Sequence, residues 1–368
     1  MRGSKQSKGA RTLAPDRPAR PARATPGRQR GVTDALWPPG AATGIGSLPG
    51  NDPREAATTV LGELPDLPHL PELPARGLGA DLIGRTAAML VDLAIEVVPS
   101  GYRVTARPGG DHRRAVDLLS MDLDAFEEAC ESLHPQWVKV QAAGPWTLAA
   151  CVELVTGHRV LTDHGARREF AASLTEGLAQ HAAEVAERTG ARVAIQLDEP
   201  ALPAVLAGSL PTASGLTNIN PVPASDAAQA LSDMIAALPG PVIVHSCATD
   251  PPIELLRRAG AQALSFDATL PMSKDTLDAL GQAWDDGLTL LLGLVPAIAP
   301  AEEPTLRKVA QPALDLADRL GFGRDRLAEL AVPTPTCGLS GADTGWAQRA
   351  MALSRDLGRA FVDPPDIW

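Results

Sequence analysis

The chain has 368 residues, 45% of them apolar, which is enough for one large domain with a substantial core. Its net charge of -11 is unevenly spread: residues 1–31 hold nine Lys/Arg and one acidic residue, leaving 24 Lys/Arg against 43 Asp/Glu in the remainder, an acidic balance that argues against nucleic acid as a partner. Four cysteines in a chain of this length do not make a disulfide framework, and no apolar run approaches the ~18 residues of a membrane span, so the expected setting is reducing and cytoplasmic, away from membranes.

The Arg/Pro/Ala/Gly-rich residues 1–39 read as a disordered basic tail, without the apolar stretch of a secretory signal. Residues 40–368 read as one domain. Its first element is the short apolar run at Ile45, which ends in the turn Gly46-Ser47-Leu48-Pro49-Gly50. Asp52-Pro53 then opens a helical pattern to Leu64. Prolines 65, 68, 71 and 74 follow at intervals of three and exclude helix interior. A helix is expected over 78–93, then two extended runs, 95–98 and 102–105, joined by Pro99-Ser100-Gly101 as a hairpin.

A helix over 112–133 leads to the alternating strand pattern Trp137-Val138-Lys139-Val140, and a second long helical stretch, broken near Gly157, runs to about 188. From there the rhythm is regular. Strand-like runs at 193–197, 242–246, 263–267, 289–295 and 328–334 alternate with helical segments. With the earlier runs this gives eight strand candidates, near 45, 96, 138, 195, 244, 265, 292 and 331. Alternation implies a parallel sheet, and eight units in this length favour an α/β fold of the (β/α)8 TIM-barrel type over a doubly wound open sheet.

In a parallel barrel reactive residues gather at the carboxyl ends of the strands. Ser47 follows the first run, Asp198 and Glu199 the fourth, His245 and Cys247 the fifth, Asp267 the sixth and Cys337 the last. Imidazole and thiolate are the ligands zinc prefers, and residues two apart on a strand share a face, so His245 and Cys247 form a candidate metal pair with Cys337. For each residue a plainer reading stands beside this one: core packing for His245 and Cys247, an inert thiol before a glycine-containing turn for Cys337, helix capping for Asp267, Asp198 and Glu199, turn chemistry for Ser47. A thiol-rich zinc site with an open position favours activating a substrate thiol for alkyl transfer over splitting water.

Five stretches together resemble the carboxyl-terminal catalytic barrel of the cobalamin-independent methionine synthase family: Ile45-Gly46-Ser47-Leu48-Pro49, Gly144-Pro145-Trp146-Thr147-Leu148, Ile195-Gln196-Leu197-Asp198-Glu199-Pro200-Ala201-Leu202, His245-Ser246-Cys247 and Cys337-Gly338-Leu339. The resemblance spans nearly everything after residue 40 and suggests a short, stand-alone form with one barrel. It implies that His245, Cys247 and Cys337 hold zinc, with Asp267 in the place of the family's glutamate ligand if its loop is two residues shorter. It further implies that Ile45, Gly46 and Ser47 meet the carboxylate end of homocysteine, that Asp198, with Glu199 beside it, meets the amino group, and that Asp198, His245 and Cys247 serve methyl transfer to the sulfur, a step of methionine biosynthesis. The family's Asp-x-His after the seventh strand is replaced by Gly293-Leu294-Val295-Pro296-Ala297-Ile298, so the expected donor is either a folate or a methylated corrinoid, the latter on a partner protein. Two other readings stay open: alkyl transfer involving a different thiol, and a barrel that has lost catalysis and binds a ligand as a regulator.

Overall fold

A computed structural model describes residues 35–365 of the chain. Among these described residues nine strands are formed: β1 Ala94–Val98, β2 Gly101–Thr105, β3 Trp137–Ala143, β4 Val152–Glu153, β5 Arg192–Asp198, β6 Val242–His245, β7 Ala263–Asp267, β8 Thr289–Val295 and β9 Ala331–Pro335. Six of them make a curled parallel sheet in the order β3-β5-β6-β7-β8-β9. Each connection carries helix, the crossover that parallel neighbours require. Five helices start where the sequence provides a cap: Asp52, Asp163, Ser273, Thr305 and Asp343 each accept a backbone N–H of the first turn, and Gly190 and Gly321 end two of them in the left-handed region.

Register sorts the strand residues onto two faces. Val138, Val140, Ile195, Leu197, Val244, Leu264, Leu290 and Leu292 belong to the large core shared with the helices. The other face carries Lys139 opposite Ala194, Gln141 opposite Gln196, Gln196 opposite Ile243, Asp198 opposite His245, and His245 opposite Ser265. Its lower part is apolar. Ala194, Ile243, Ala263, Leu291 and Val332 pack with Trp37, Ala41 and Leu67 in a second, small core. Toward the carboxyl ends of the strands the same face becomes polar and stays buried, with Lys139, Gln141, Gln196, Asp198, His245 and Ser265 all nearly inaccessible. The sheet therefore has a sealed apolar base and a polar mouth, which is where a ligand site belongs in such an architecture.

Two of the eight expected barrel strands take a different form. The run at 95–98 does pair with 101–105 as the expected hairpin, but in a separate three-stranded sheet, β1-β2-β4, and not in the parallel one. Its position beside β3 is taken by the proline-spaced segment, where Leu70 N–H donates to Lys139 (2.8 Å) and Lys139 N–H to Pro68 (2.8 Å). The run at Ile45 forms only an isolated bridge, Ser47 with Glu72. Prolines lack the N–H a ladder needs. In addition, Leu70 and Glu72, two residues apart, donate in opposite directions, to Lys139 and to Gly46, which a regular strand cannot do. The helix expected over 78–93 shrinks to Leu82–Ala87, because Gly77 and Gly79 hold positive φ and Asp81 caps the helix after them. Of the expected tail, residues 1–34 lie outside the described residues, and among those described no helix is long and apolar enough to cross a membrane.

Candidate active site

His245 closes β6 and is held there by its neighbours. Val242, Ile243 and Val244 are fully buried, so the strand cannot slip, and across the ladder Ser265 Oγ lies 2.9 Å from His245 Nδ1. That contact fixes the ring and leaves Nε2 for a ligand, the arrangement usual for a metal-bound histidine. Cys247 follows two residues later, and Cys337 leaves the end of β9. One ligand atom from each of His245, Cys247 and Cys337 lies within 4.8 Å of the other two. The Cys247 thiol and then His245 hold the Cys337 thiol well below its usual range by hydrogen bonding, while the same contact and burial push Cys247 up. A soft trio of one imidazole and two thiols suits zinc.

Asp267 is not part of that group of three. Its Oδ1 accepts from Thr269 N (2.9 Å) and Thr269 Oγ1 (2.6 Å) in a local turn, while Ser273 caps the helix that follows.

Ile45, Gly46 and Ser47 lie along the mouth. The Ile45 carbonyl accepts from Lys139 Nζ and Gln196 Nε2, both at 2.9 Å. A Cβ on Gly46 would meet the Gln141 side chain at 3.0 Å, and a Cβ on Gly338 would meet Ser47 Oγ at 2.1 Å. Leu339 N–H donates to the Ser47 carbonyl (2.8 Å), so the segment that carries Ser47 is tied to the loop that carries Cys337.

The two adjacent carboxylates have separate surroundings. Asp198 shares the inner face with His245 and accepts from Gln196 Nε2 at 2.7 Å. Burial raises its pKa, against the pull of His245, Lys139 and that hydrogen bond. Glu199 turns to the first turn of the helix Pro145–Cys151, where it accepts from Trp146 N (2.9 Å), Thr147 N (2.8 Å) and Thr147 Oγ1 (2.7 Å). Burial still pushes it up to about 7. Gly144 is glycine for the same reason, since a Cβ there would lie 2.4 Å from Glu199 Oε1. The Gly-Pro-Trp-Thr and Asp-Glu-Pro stretches, far apart in sequence, are thus one structural unit.

Three residues of the mouth carried no functional reading from sequence. Glu72, buried on the bridge to Ser47, is raised to about 7, chiefly by burial and against the opposing charge of Arg85. Lys139 is lowered to about 8 by burial, opposed by Asp198 and Glu72. Gln196 links the lysine to Asp198. A signal existed for each: a glutamate among leucines that are all buried, and a lysine and a glutamine each flanked on both sides by apolar strand residues.

Residues 40–359 match the model of the family described as cobalamin-independent synthase, catalytic domain. Among solved structures, the fold is similar to that of a B12-independent methionine synthase from Shewanella sp. W3-18-1 in complex with selenomethionine, at 14% identity over 88% of this chain and 98% of that one, with a TM-score of 0.54. It is likewise similar to a methyltransferase from Methanosarcina mazei, at 16% identity over 88% of this chain and 94% of that one, also with a TM-score of 0.54. At these identities the likeness concerns the fold. Among curated proteins, no sequence matches the chain.

Proposed function

Since the chain belongs to the cobalamin-independent synthase family through its catalytic domain, we propose that it is a zinc-dependent methyltransferase that moves a methyl group from a methylated folate or corrinoid to the thiol of homocysteine, giving methionine and the demethylated donor, with the thiol proton released. The single observation that carries the zinc is the convergence of His245, Cys247 and Cys337 within 4.8 Å. Zinc at such a site lowers the pKa of a substrate thiol, so that the sulfur is nucleophilic at neutral pH. The chain's own residues supply the rest. Asp198 and Glu72, both buried at the mouth, bind the substrate's ammonium group. The backbone at Gly46 and the hydroxyl of Ser47 orient its carboxylate. Held at both ends, the amino acid directs its side-chain sulfur toward the two cysteines, and fixing that geometry is itself a large part of the acceleration.

We further propose that the fold is a closed eight-stave barrel. Backbone hydrogen bonds lead from β9 (Thr43 N–H to Pro333, 3.3 Å) through the Gly46–Glu72 pair to β3, which supports that reading. Glu199 is assigned to anchoring the Pro145 helix and Asp267 to its turn, leaving three protein ligands and an open fourth position.

Metal analysis of the reduced protein, calorimetric titration with homocysteine before and after zinc removal, and the Cys337→Ser variant test the proposal. One bound zinc, homocysteine binding that needs it, and loss of both in the variant are expected. A protein that purifies without zinc and takes none up, or a variant with unchanged metal and activity, overturns it.

A further inference from the structure

We infer that Lys139, which touches neither the ligand trio nor the reacting atoms, is a positioning residue that sets the direction of the Gln196 amide and through it the carboxylate of Asp198. This inference rests on the proposed binding of an amino-acid substrate at Asp198.

The argument follows from donors and acceptors. An ammonium group has three N–H donors and no acceptor. Lys139 Nζ, fully buried, has three acceptors within reach: Gln196 Oε1 at 2.8 Å, the Ile45 carbonyl at 2.9 Å and Gln141 Oε1 at 3.3 Å. Because the lysine can only donate, the Gln196 amide must present its oxygen to it. Its NH2 end is therefore turned the other way, where its two hydrogens meet the Ile45 carbonyl (2.9 Å) and Asp198 Oδ1 (2.7 Å). Gln141 is oriented by the same rule, since its oxygen faces Lys139 and its NH2 group donates to the Leu70 carbonyl. No group in this network can reverse without setting donor against donor or acceptor against acceptor, and a fully satisfied buried network is rigid.

The consequence lies at the mouth. With Oδ1 of Asp198 engaged by an amide fixed in direction, the other oxygen is left for the substrate's ammonium. The same lysine and the same glutamine clamp the Ile45 carbonyl, so both ends of the substrate pocket, the Ile45-Gly46-Ser47 segment and Asp198, are aligned from beneath by one side chain. An apolar residue at 139 leaves the Gln196 and Gln141 oxygens without their buried donor and the Ile45 carbonyl with one clamp in place of two, so the amide that aims Asp198 loses its support from beneath.

Three variants test this, each checked by circular dichroism and zinc content so that only folded, metal-loaded protein is compared. Lys139→Met is expected to raise the KM for homocysteine about tenfold or more, the scale of one lost charge-assisted contact, with a much smaller change in kcat. Gln196→Met, which keeps the lysine and removes the relay, is expected to show the same split. Lys139→Gln, whose NH2 can still donate to Gln196 Oε1, is expected to recover most of the lost affinity without the charge. If Lys139→Met and Gln196→Met bind homocysteine like the parent, or if Lys139→Gln is as impaired as Lys139→Met, the positioning role is wrong. Should Lys139→Met fail to fold, the comparison of Gln196→Met with Lys139→Gln decides alone. Absence of zinc-dependent homocysteine binding by the parent protein overturns the proposed function instead, a result distinct from these.

Discussion

Gly338 and Ser47 lie so close that a methyl group on the glycine would sit 2.1 Å from the serine hydroxyl oxygen and 3.3 Å from its Cβ. The glycine after Cys337 is thus required by a segment almost 300 residues earlier in the chain, and the two ends of the mouth hold each other in place. Gly338→Ala forces the hydroxyl or the cysteine loop to move. The expected outcome is a loss of about 1–3 kcal/mol in chemical denaturation, typical of overpacking, together with weaker zinc retention. Adding Ser47→Ala removes the oxygen and recovers part of the stability, a coupling that a double-mutant cycle reads directly. Additive effects of the two substitutions would mean that they do not interact.

A buried ionic cluster behind the mouth makes the next case. Asp122, 2% exposed, accepts from Arg76 Nη2 (2.8 Å) and from Arg85 Nη1, and Arg85 Nε in turn lies 3.9 Å from Glu72. Removing one member of a buried ion pair leaves the others charged and uncompensated, which costs about 3–5 kcal/mol. Asp122→Ala is accordingly expected to be the most destabilising substitution discussed here, followed by Asp122→Asn, which keeps one acceptor. Equilibrium denaturation of the two variants beside the parent checks the order.

The sequence carries the parallel sheet well because its strands from β5 onward, buried on both faces, read as continuous apolar runs bounded by helices, and because Asp198, His245 and Cys247 sit just where those runs end. It carries the first quarter poorly. Pro68, Pro71 and Pro74 hide the segment beside β3 by removing ladder donors, while the hairpin at 94–105 has stronger strand character and belongs to another sheet. Glu199 illustrates a different limit. A carboxylate beside Asp198 looks like a second binding group, and only the distant Trp146 and Thr147 N–H groups show where it is engaged. Lys139 was visible as an alternation in β3, but its partners come from two other parts of the chain, Ile45 and Gln196.

Glu72 gives a pH signature. Its carboxyl is raised from 4.5 to about 7, burial being the main cause. Between those pH values the unfolded chain releases a proton that the folded chain keeps, so this group's contribution to stability is present at low pH and lost as pH rises through about 7. The upper bound is about 3 kcal/mol. Glu72→Gln cannot ionise and lacks the effect. Melts at about pH 5 and about pH 8 in saturating zinc are expected to show the variant gaining on the parent at the higher pH, while its KM for homocysteine rises. A stability difference that stays the same at both pH values would show that Glu72 is ionised throughout.

Asp267 and Cys337 together test the proposed set of three protein ligands. The three-ligand assignment rests on His245, Cys247 and Cys337 approaching within 4.8 Å, whereas Asp267 spends Oδ1 on two donors of Thr269, an exposed residue of the loop after β7. Asp267→Ala therefore removes a local turn, with an expected loss of about 0.5–1.5 kcal/mol for its hydrogen bonds, and leaves one zinc per chain. Cys337→Ser replaces a soft sulfur donor with a hydroxyl, so zinc is expected to be lost to a mild chelator. Metal analysis of both variants after the same chelator treatment gives the answer: retention by Asp267→Ala and loss by Cys337→Ser support three protein ligands. Equal loss from both would make Asp267 a fourth ligand, drawn in when the metal binds.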